Sequence, residues 1–168
     1  MKLMFVSDIH GKLDYLDILL NIYYKEKPDN IIFLGDLFSF YVKDEVEELI
    51  NKIRNKVVIK GNCDSETDVL TSNLNFTNDY YFEAFNKKFY CSHGNIYNIN
   101  RFPPCDFDCL VYGHTHQGLI HKEYDKYFLN PGSFSYPRGG SVNSYMIIDD
   151  TGIILKDLDQ KTIEKISW

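Results

Sequence analysis

The chain has 168 residues, of which 44% are hydrophobic, and its formal net charge at pH 7 is −6. This length suits one ordinary domain, so we expect a single domain over residues 1–168 whose core needs no disulfide bonds. The charge argues against nucleic-acid binding, because such a surface needs clustered Lys and Arg to replace the phosphate counterions, and the sequence shows no such cluster.

The N-terminal apolar run, residues 2–6, reaches Asp8 too soon for a signal peptide. No run approaches the ~18 consecutive apolar residues that a membrane span requires. We therefore expect a cytoplasmic protein that does not contact membranes.

The first half of the chain alternates apolar runs with amphipathic helical patterns. The apolar runs are 2–6, 31–34 and 57–59, and the helical patterns cover about 12–26 and 46–53. This order predicts a βαβαβ unit, hence a parallel sheet buried on both faces.

The second half contains short strand patterns joined by turns. Runs at 80–85 and 88–92 indicate a hairpin through Asn86-Lys87, and a second hairpin is indicated around Asp149-Asp150-Thr151-Gly152. The remaining strand patterns are 109–112, 119–121, 127–129, 144–148 and 153–158. We expect two mixed sheets packed together, with helices outside.

Polar residues and glycines directly follow six of these apolar runs. The six segments are Asp8-Ile9-His10, Gly35-Asp36, Gly61-Asn62-Cys63-Asp64, Ser92-His93-Gly94, Gly113-His114-Thr115-His116 and Asn130-Pro131-Gly132-Ser133. Ligands bind at the carboxyl ends of strands in open α/β sheets, so these side chains should meet at one edge. Carboxylates and imidazoles together suit divalent ions such as Mn²⁺, Fe²⁺ or Zn²⁺. Only one of the five histidines, His121, lies outside this pattern, and it receives no role.

This ordered set of motifs resembles the calcineurin-like metallophosphoesterases over roughly residues 1–150. Gly-Asn-Cys-Asp at 61–64 and Leu-Asn-Pro-Gly-Ser at 129–133 are similar, more narrowly, to the small YfcE-type phosphodiesterases. The resemblance implies an α/β fold, a four-layer α/β/β/α sandwich of two mixed β-sheets flanked by helices.

The resemblance also implies a binuclear metal centre. One divalent ion would be held by Asp8, His10, Asp36 and His116, and the second by Asp36, Asn62, His93 and His114. Asp36 would bridge the ions, and a hydroxide between them would attack phosphorus in line, which places Asp36, Asn62 and His93 in the catalytic centre. Mn²⁺ is the expected metal, with Fe²⁺, Zn²⁺, Ni²⁺ and Co²⁺ as alternatives.

Cys63 departs from the motif of most larger family members, which carry a histidine there that is thought to protonate the leaving group. A thiol near two cations should have a lowered pKa, which makes Cys63 a doubtful acid at neutral pH. We therefore expect a preference for good leaving groups, and the part of Cys63 in catalysis stays open.

Arg138 could bind a substrate phosphate through two hydrogen bonds, whereas Arg101 is interpreted as a surface charge. Five aromatic residues near the predicted site could form a wall for the leaving group, although core packing is the commoner use: Phe38, Phe40, Tyr41, Phe134 and Tyr136.

Three functions are compatible with this sequence. The first is a phosphodiesterase acting on a small phosphate ester, and the second is a phosphomonoesterase or pyrophosphohydrolase on the same centre. The third is a non-catalytic scaffold like the retromer subunit of this fold, which ranks last because this chain retains every ligand. The chain is expected to be a monomer or a homo-oligomer.

Overall fold

A computed structural model describes residues 1–38 and 42–168 of the chain. These residues form two β-sheets and three helices. In chain order the elements are β1 (Lys2–Val6), α1 (Leu13–Glu26), β2 (Asn30–Phe33), α2 (Lys43–Asn51), β3 (Lys56–Ile59), α3 (Glu66–Thr71), β4 (Phe76–Thr77), β5 (Asp79–Ala84), β6 (Lys87–Ser92), β7 (Cys109–Tyr112), β8 (Gly118–Glu123), β9 (Lys126–Pro131), β10 (Ser144–Asp149), β11 (Gly152–Asp157) and β12 (Thr162–Ser167).

The first sheet has seven strands in the order β12-β11-β10-β1-β2-β3-β4. Strands β1 to β4 run parallel to their neighbours, while β10 pairs with β1 in the antiparallel direction. The second sheet has five strands in the order β5-β6-β7-β9-β8, and its central strands β6, β7 and β9 are parallel. Both sheets are therefore mixed, as predicted.

Three layers of buried side chains connect the two sheets with each other and with the helices and the irregular segment outside them. The outer face of the first sheet packs on α1 and α2 through residues such as Leu16 and Val46. The inner faces of the two sheets meet through Phe5, Phe89 and other buried side chains. Successive residues of β1 face opposite layers, since Met4 and Val6 join the helix layer while Phe5 joins the layer between the sheets.

The outer face of the second sheet is covered mainly by the segment between β6 and β7. Phe107 and, less deeply buried, Tyr97 and Ile99 from this segment pack on it. The segment 93–108 contains no helix, so an irregular chain forms this layer. The predicted class, two mixed sheets with helices packed outside, is confirmed, and α1 and α2 supply the helices.

The predicted elements agree with the structure to within one to three residues at most ends. The helix expected over about 12–26 spans Leu13–Glu26, and the second hairpin turns at Asp149–Gly152. Three elements were not predicted, namely α3, β4 and β12. In the two described ranges, no helix is long and apolar enough to cross a membrane.

Candidate metal centre

The carboxyl ends of β1, β2, β3, β6 and β7 meet at one edge of the two sheets, and backbone hydrogen bonds join the loops that follow them. The N–H of Asp8 donates to the carbonyl of Gly35 at 3.1 Å, and the N–H of His10 donates to the carbonyl of Asp36 at 2.9 Å. In the second sheet, the N–H of Gly113 donates to the carbonyl of His93 at 2.8 Å. The predicted ligand loops are therefore fixed relative to one another by the main chain.

The first predicted ligand set is compact. Asp8, His10, Asp36 and His116 each offer one ligand atom, and these atoms all lie within 4.8 Å of one another. His116 Nε2 lies 3.3 Å from Asp8 Oδ1 and 3.3 Å from His10 Nε2. His10 Nε2 lies 3.8 Å from Asp36 Oδ2. Two carboxylates and two imidazoles thus surround one small volume.

The second predicted set surrounds His93 Nε2. This atom lies 2.9 Å from Asn62 Oδ1, 3.3 Å from His114 Nδ1 and 3.4 Å from Asp36 Oδ2. The same carboxylate oxygen, Asp36 Oδ2, therefore faces His10 of the first set and His93 of the second. The geometry places Asp36 between the two groups of donors.

The second ring nitrogens of two of these histidines are held by backbone carbonyls. His93 Nδ1 lies 2.7 Å from the carbonyl oxygen of Leu34, and His116 Nδ1 lies 2.6 Å from that of Tyr136. A carbonyl only accepts, so each Nδ1 carries the hydrogen, and in the neutral rings the lone pair is on Nε2. Both Nε2 atoms point at carboxylate, amide or imidazole acceptors, an arrangement that a shared cation would stabilise.

Asp8 provides a further test of whether these residues fit a metal ion. Its side chain is fully buried, and Oδ2 accepts a hydrogen bond from the N–H of His114 at 3.0 Å. Its other oxygen, Oδ1, is buried without a hydrogen-bond partner. A buried carboxylate oxygen without a donor is costly, and a cation at this place would remove that cost. The donor set therefore fits a divalent metal ion.

Backbone conformation also marks these residues. Five of the predicted ligands adopt positive φ angles between 51° and 65°: Asp8, His10, Asp36, His114 and His116. For residues other than glycine this conformation costs of order 1 kcal/mol or more each, and such strain collects at functional sites. Here it turns the side chain of each strand end toward the common centre.

The buried charges influence one another strongly. Burial favours the neutral form of Asp36, but its contacts with His93 and with the N–H of Cys63 hold the pKa of Asp36 well below its ordinary value. Burial also opposes charge on His93, and Asp36 outweighs it, so the pKa of His93 is raised. Asp36 is thus ionised at neutral pH, as a ligand must be.

Cys63 is exposed beside this centre. Its N–H donates to Asp36 Oδ1 at 2.8 Å, and its Sγ lies 3.4 Å from Asn62 Nδ2. Although the residue is exposed, partial desolvation of its thiol and the charge of Asp36 raise the pKa of Cys63 to about 11. The lowered pKa expected for this thiol assumed two bound cations. The surrounding side chains of the protein alone raise the pKa, so a lowered value would require bound cations.

Asp64 was not singled out from the sequence, yet it connects two ligand loops. Its side chain is buried and accepts N–H donors from Leu37 at 2.9 Å, Phe38 at 2.8 Å and Gly61 at 2.8 Å. The first two follow Asp36 and the third precedes Asn62, both of them predicted ligands. The fourth residue of Gly-Asn-Cys-Asp is therefore a positioning residue for both loops.

The end of β9 and the turn that follows it support the other two loops. Asn130 Nδ2 donates to the carbonyl of Gly113 at 2.8 Å, and Ser133 Oγ donates to the carbonyl of Asp8 at 2.7 Å. Gly113 has no room for a side chain, because a Cβ there would lie 1.9 Å from Ser7 Oγ. The motif at 129–133 thus holds the ligand loops in place without adding a ligand.

The other predicted site residues differ in position. Arg138 is exposed and lines a cavity beside His10 and His116. Phe38 and Phe134 are buried in the core, whereas Tyr136 is exposed and its ring lies edge-on to that of His10 with centroids 5.9 Å apart. Phe40 and Tyr41 lie outside the described residues. His121, which received no role, is exposed on β8.

The sequence and the fold both match a known protein family. Residues 1–151 match the calcineurin-like phosphoesterase superfamily domain. The chain belongs to this family, and the resemblance inferred from its motifs is confirmed.

Individual relatives extend the similarity to the whole chain. Phosphodiesterase YfcE of Escherichia coli K12 is 31% identical over 175 aligned positions, covering 97% of this chain and 95% of the relative. Phosphodiesterase MJ0936 of Methanocaldococcus jannaschii is 28% identical and covers 79% of this chain and 83% of its own length. The solved structure of YfcE, described as a phosphoesterase from E. coli, superimposes with a TM-score of 0.90 at 28% identity and covers 99% of both chains.

Proposed function

We propose that this protein is a metal-dependent phosphodiesterase with two divalent ions per chain, acting on a small phosphate ester. The observation that carries the proposal is the position of Asp36 Oδ2, which lies 3.8 Å from His10 Nε2 and 3.4 Å from His93 Nε2. One carboxylate thus serves two donor groups, as a bridging ligand does. The phosphodiesterase names of two relatives favour a diester as substrate.

The side chains divide into two ligand sets. Asp8, His10 and His116 would hold one ion with Asp36, and Asn62, His93 and His114 would hold the other with Asp36. When bound, the ions supply positive charge that lowers the pKa of water and neutralises phosphate oxygens, which is what in-line attack by hydroxide on phosphorus requires.

The remaining roles belong to the chain itself. Leu34 and Tyr136 keep the Nε2 lone pairs of His93 and His116 directed at the centre through their carbonyls. Arg138 lies at the edge of the site, in the cavity beside His10 and His116, where its guanidinium binds a phosphate group of the substrate. Cys63 borders the centre beside Asn62, where a leaving group would pass.

Mn²⁺ is the proposed metal, because the set combines carboxylate and amide oxygens with imidazole nitrogens and contains no thiolate ligand. Fe²⁺, Zn²⁺, Ni²⁺ and Co²⁺ suit the same donors. The domain boundaries, the cytoplasmic location and the oligomeric state expected from the sequence stay predictions.

Two other functions use the same fold. A phosphomonoesterase or pyrophosphohydrolase would need the same ligands, so the rates on mono- and diester substrates decide between them. A scaffold would not need ionised ligands, fixed tautomers or strained backbone at five ligand positions, and it therefore ranks last.

Metal reconstitution tests the proposal. The protein is stripped with a chelator, single divalent ions are restored, and hydrolysis of bis(4-nitrophenyl) phosphate and 4-nitrophenyl phosphate is compared. We expect Mn²⁺ to restore turnover with a higher rate on the diester. If no divalent ion restores turnover, the enzyme function is wrong.

A pair of histidine variants supplies the control. His93→Ala removes the central imidazole of the second ligand set and should abolish turnover. His121→Ala removes an exposed imidazole on β8 and should leave turnover unchanged. Equal losses in both variants would contradict the proposed centre.

A further inference from the structure

Two cavities flank the candidate metal centre. One, of about 470 Å³, lies on the side of Asn62 and is lined by Lys60, Glu66 and Asn95 among others. The other, of about 380 Å³, lies on the side of His10 and His116. Both open directly onto ligand residues, so a diester bound at the centre can extend one half into each.

The two cavities differ in their available charge. In the first, Lys60 forms an ion pair with Glu66 of the same lining, so its charge is already balanced. In the second, Lys12 and Arg138 line the wall, and neither forms an ion pair within the part of the chain that the structure describes. Although the protein is acidic overall, two cations without a salt-bridge partner among the described residues thus line one cavity beside the predicted metal ligands, with Asp14 as the carboxylate that acts on Lys12.

Hydrogen bonds fix the main chain of Lys12 and Arg138 relative to the centre. The N–H of Lys12 donates to the carbonyl of Ile9 at 3.2 Å, within the loop that carries Asp8 and His10. The N–H of Arg138 donates to the carbonyl of His116 at 3.0 Å.

Tyr136 completes the wall between the two cations. Lys12 Nζ lies 5.0 Å from the centroid of the Tyr136 ring. The backbone carbonyl of Tyr136 accepts the Nδ1–H of His116. The aromatic face holds the ammonium group over the cavity, where it remains open to a ligand.

We propose that Lys12 and Arg138 form a subsite for a second phosphate group of the substrate. The preferred substrates are then small phosphodiesters with a further phosphate on the retained half, which is the half that stays attached to the reacting phosphorus after hydrolysis. This inference rests on the proposed function. The retained half is assigned to the His10 side because Cys63, at the position of the family's leaving-group acid, lies on the Asn62 side. Phosphate matches a guanidinium and an ammonium group together.

Two chromogenic substrates that differ in one group test the subsite. They are thymidine 5′-(4-nitrophenyl phosphate) and its 3′-phosphorylated form, which share the reacting phosphorus and the 4-nitrophenolate leaving group. We expect the wild type to prefer the phosphorylated form by at least about fivefold in kcat/KM, mainly through KM, which corresponds to about 1 kcal/mol from one charge pair near 4 Å in water. This preference should weaken as ionic strength rises.

Lys12→Gln should reduce the ratio of the two kcat/KM values toward one, and Lys12→Arg should restore most of it. Lys25→Gln is the matched control, because Lys25 lies exposed in the last turn of the same helix that Lys12 precedes. A wild-type ratio within twofold of one, or a ratio that Lys12→Gln leaves unchanged, would overturn the subsite. Hydrolysis of the unphosphorylated diester would still support the proposed function in that case.

A binding measurement decides the question independently of turnover. Calorimetry on the Mn²⁺-loaded protein compares thymidine 3′,5′-bisphosphate with thymidine 5′-phosphate. We expect the wild type to bind the bisphosphate at least about fivefold more tightly than the monophosphate. In Lys12→Gln, where only Arg138 remains, this difference in affinity should become smaller. Equal affinities in the wild type would refute the subsite, whether or not either substrate is hydrolysed.

Discussion

Replacing Asp36 by Asn should remove both metal ions, because one oxygen of this side chain faces both donor groups. Asp36 Oδ2 lies 3.8 Å from His10 Nε2 and 3.4 Å from His93 Nε2, and the residue is only 2% exposed. The amide has nearly the same shape but no charge. Loss of outer partners of a ligand already costs 10- to 100-fold in metal affinity, so loss of the ligand charge should cost at least about 100-fold per ion, or about 2.7 kcal/mol.

Asp8→Asn is the comparison that makes this prediction specific. Asp8 is equally buried, but only its oxygen Oδ1 faces the predicted ligand atoms, 3.3 Å from His116 Nε2 in the first set. Its other oxygen, Oδ2, accepts the backbone N–H of His114 and no ligand atom of the second set. Metal content is measured by mass spectrometry after equilibration with limiting Mn²⁺, and Kd by calorimetry. We expect about two ions in the wild type, one in Asp8→Asn and none in Asp36→Asn. Retention of one tightly bound ion in Asp36→Asn would refute the bridging role.

Three further predictions concern residues around the centre and in the core. Cys63→Ser should lower kcat on bis(4-nitrophenyl) phosphate by less than about tenfold, because 4-nitrophenolate needs no acid; a loss of several orders of magnitude would place the thiol in the chemistry. Asp64→Asn leaves a backbone N–H without an acceptor and should lower the free energy of unfolding by about 1–3 kcal/mol in urea titrations; no measurable change would contradict its positioning role. Burial acts to raise the pKa of Glu26, but the contacts with Lys156 and Tyr145 outweigh it, so the pKa is lowered from its ordinary value of 4.5. The ionised Glu26 therefore stabilises the fold fully above pH 4.5, and this stability is lost as the pH falls through the lowered pKa. Glu26→Gln should therefore flatten the acid side of the stability profile, and an unchanged profile would contradict this linkage.

Elements with a strong apolar period were predictable, and those without one were missed. Strands β1 and β2 are nearly continuous buried runs, and α1 shows its buried face in Leu16, Leu19 and Leu20. Helix α3 buries no residue and is marked only by its cap, where Ser65 Oγ accepts the N–H of Asp68. Strand β12 is exposed at nearly every position, because it forms an edge of the first sheet. Its sequence carries no alternation that could reveal it.

The convergence of the predicted ligand residues could be anticipated for a different reason. Each of these residues follows a recognisable strand. Because parallel strands end at the same edge of a sheet, residues that follow them were expected to lie close together. Lys12 and Tyr136 follow no such rule. They reach the site from a helix start and a loop after β9, and only the folded chain brings them to the same cavity.

The supporting contacts of the centre depend on main-chain groups, and this explains why sequence patterns could not reveal them. The carbonyls of Leu34 and Tyr136 fix the two histidine tautomers, yet any residue type could supply such a carbonyl. Asp64 and Asn130 act through backbone N–H and carbonyl groups of the ligand loops. Side-chain identity therefore specifies which atoms can bind a metal, while the path of the main chain decides whether their lone pairs converge. A variant that keeps every ligand but alters a loop path should lose metal affinity as surely as one that removes a ligand.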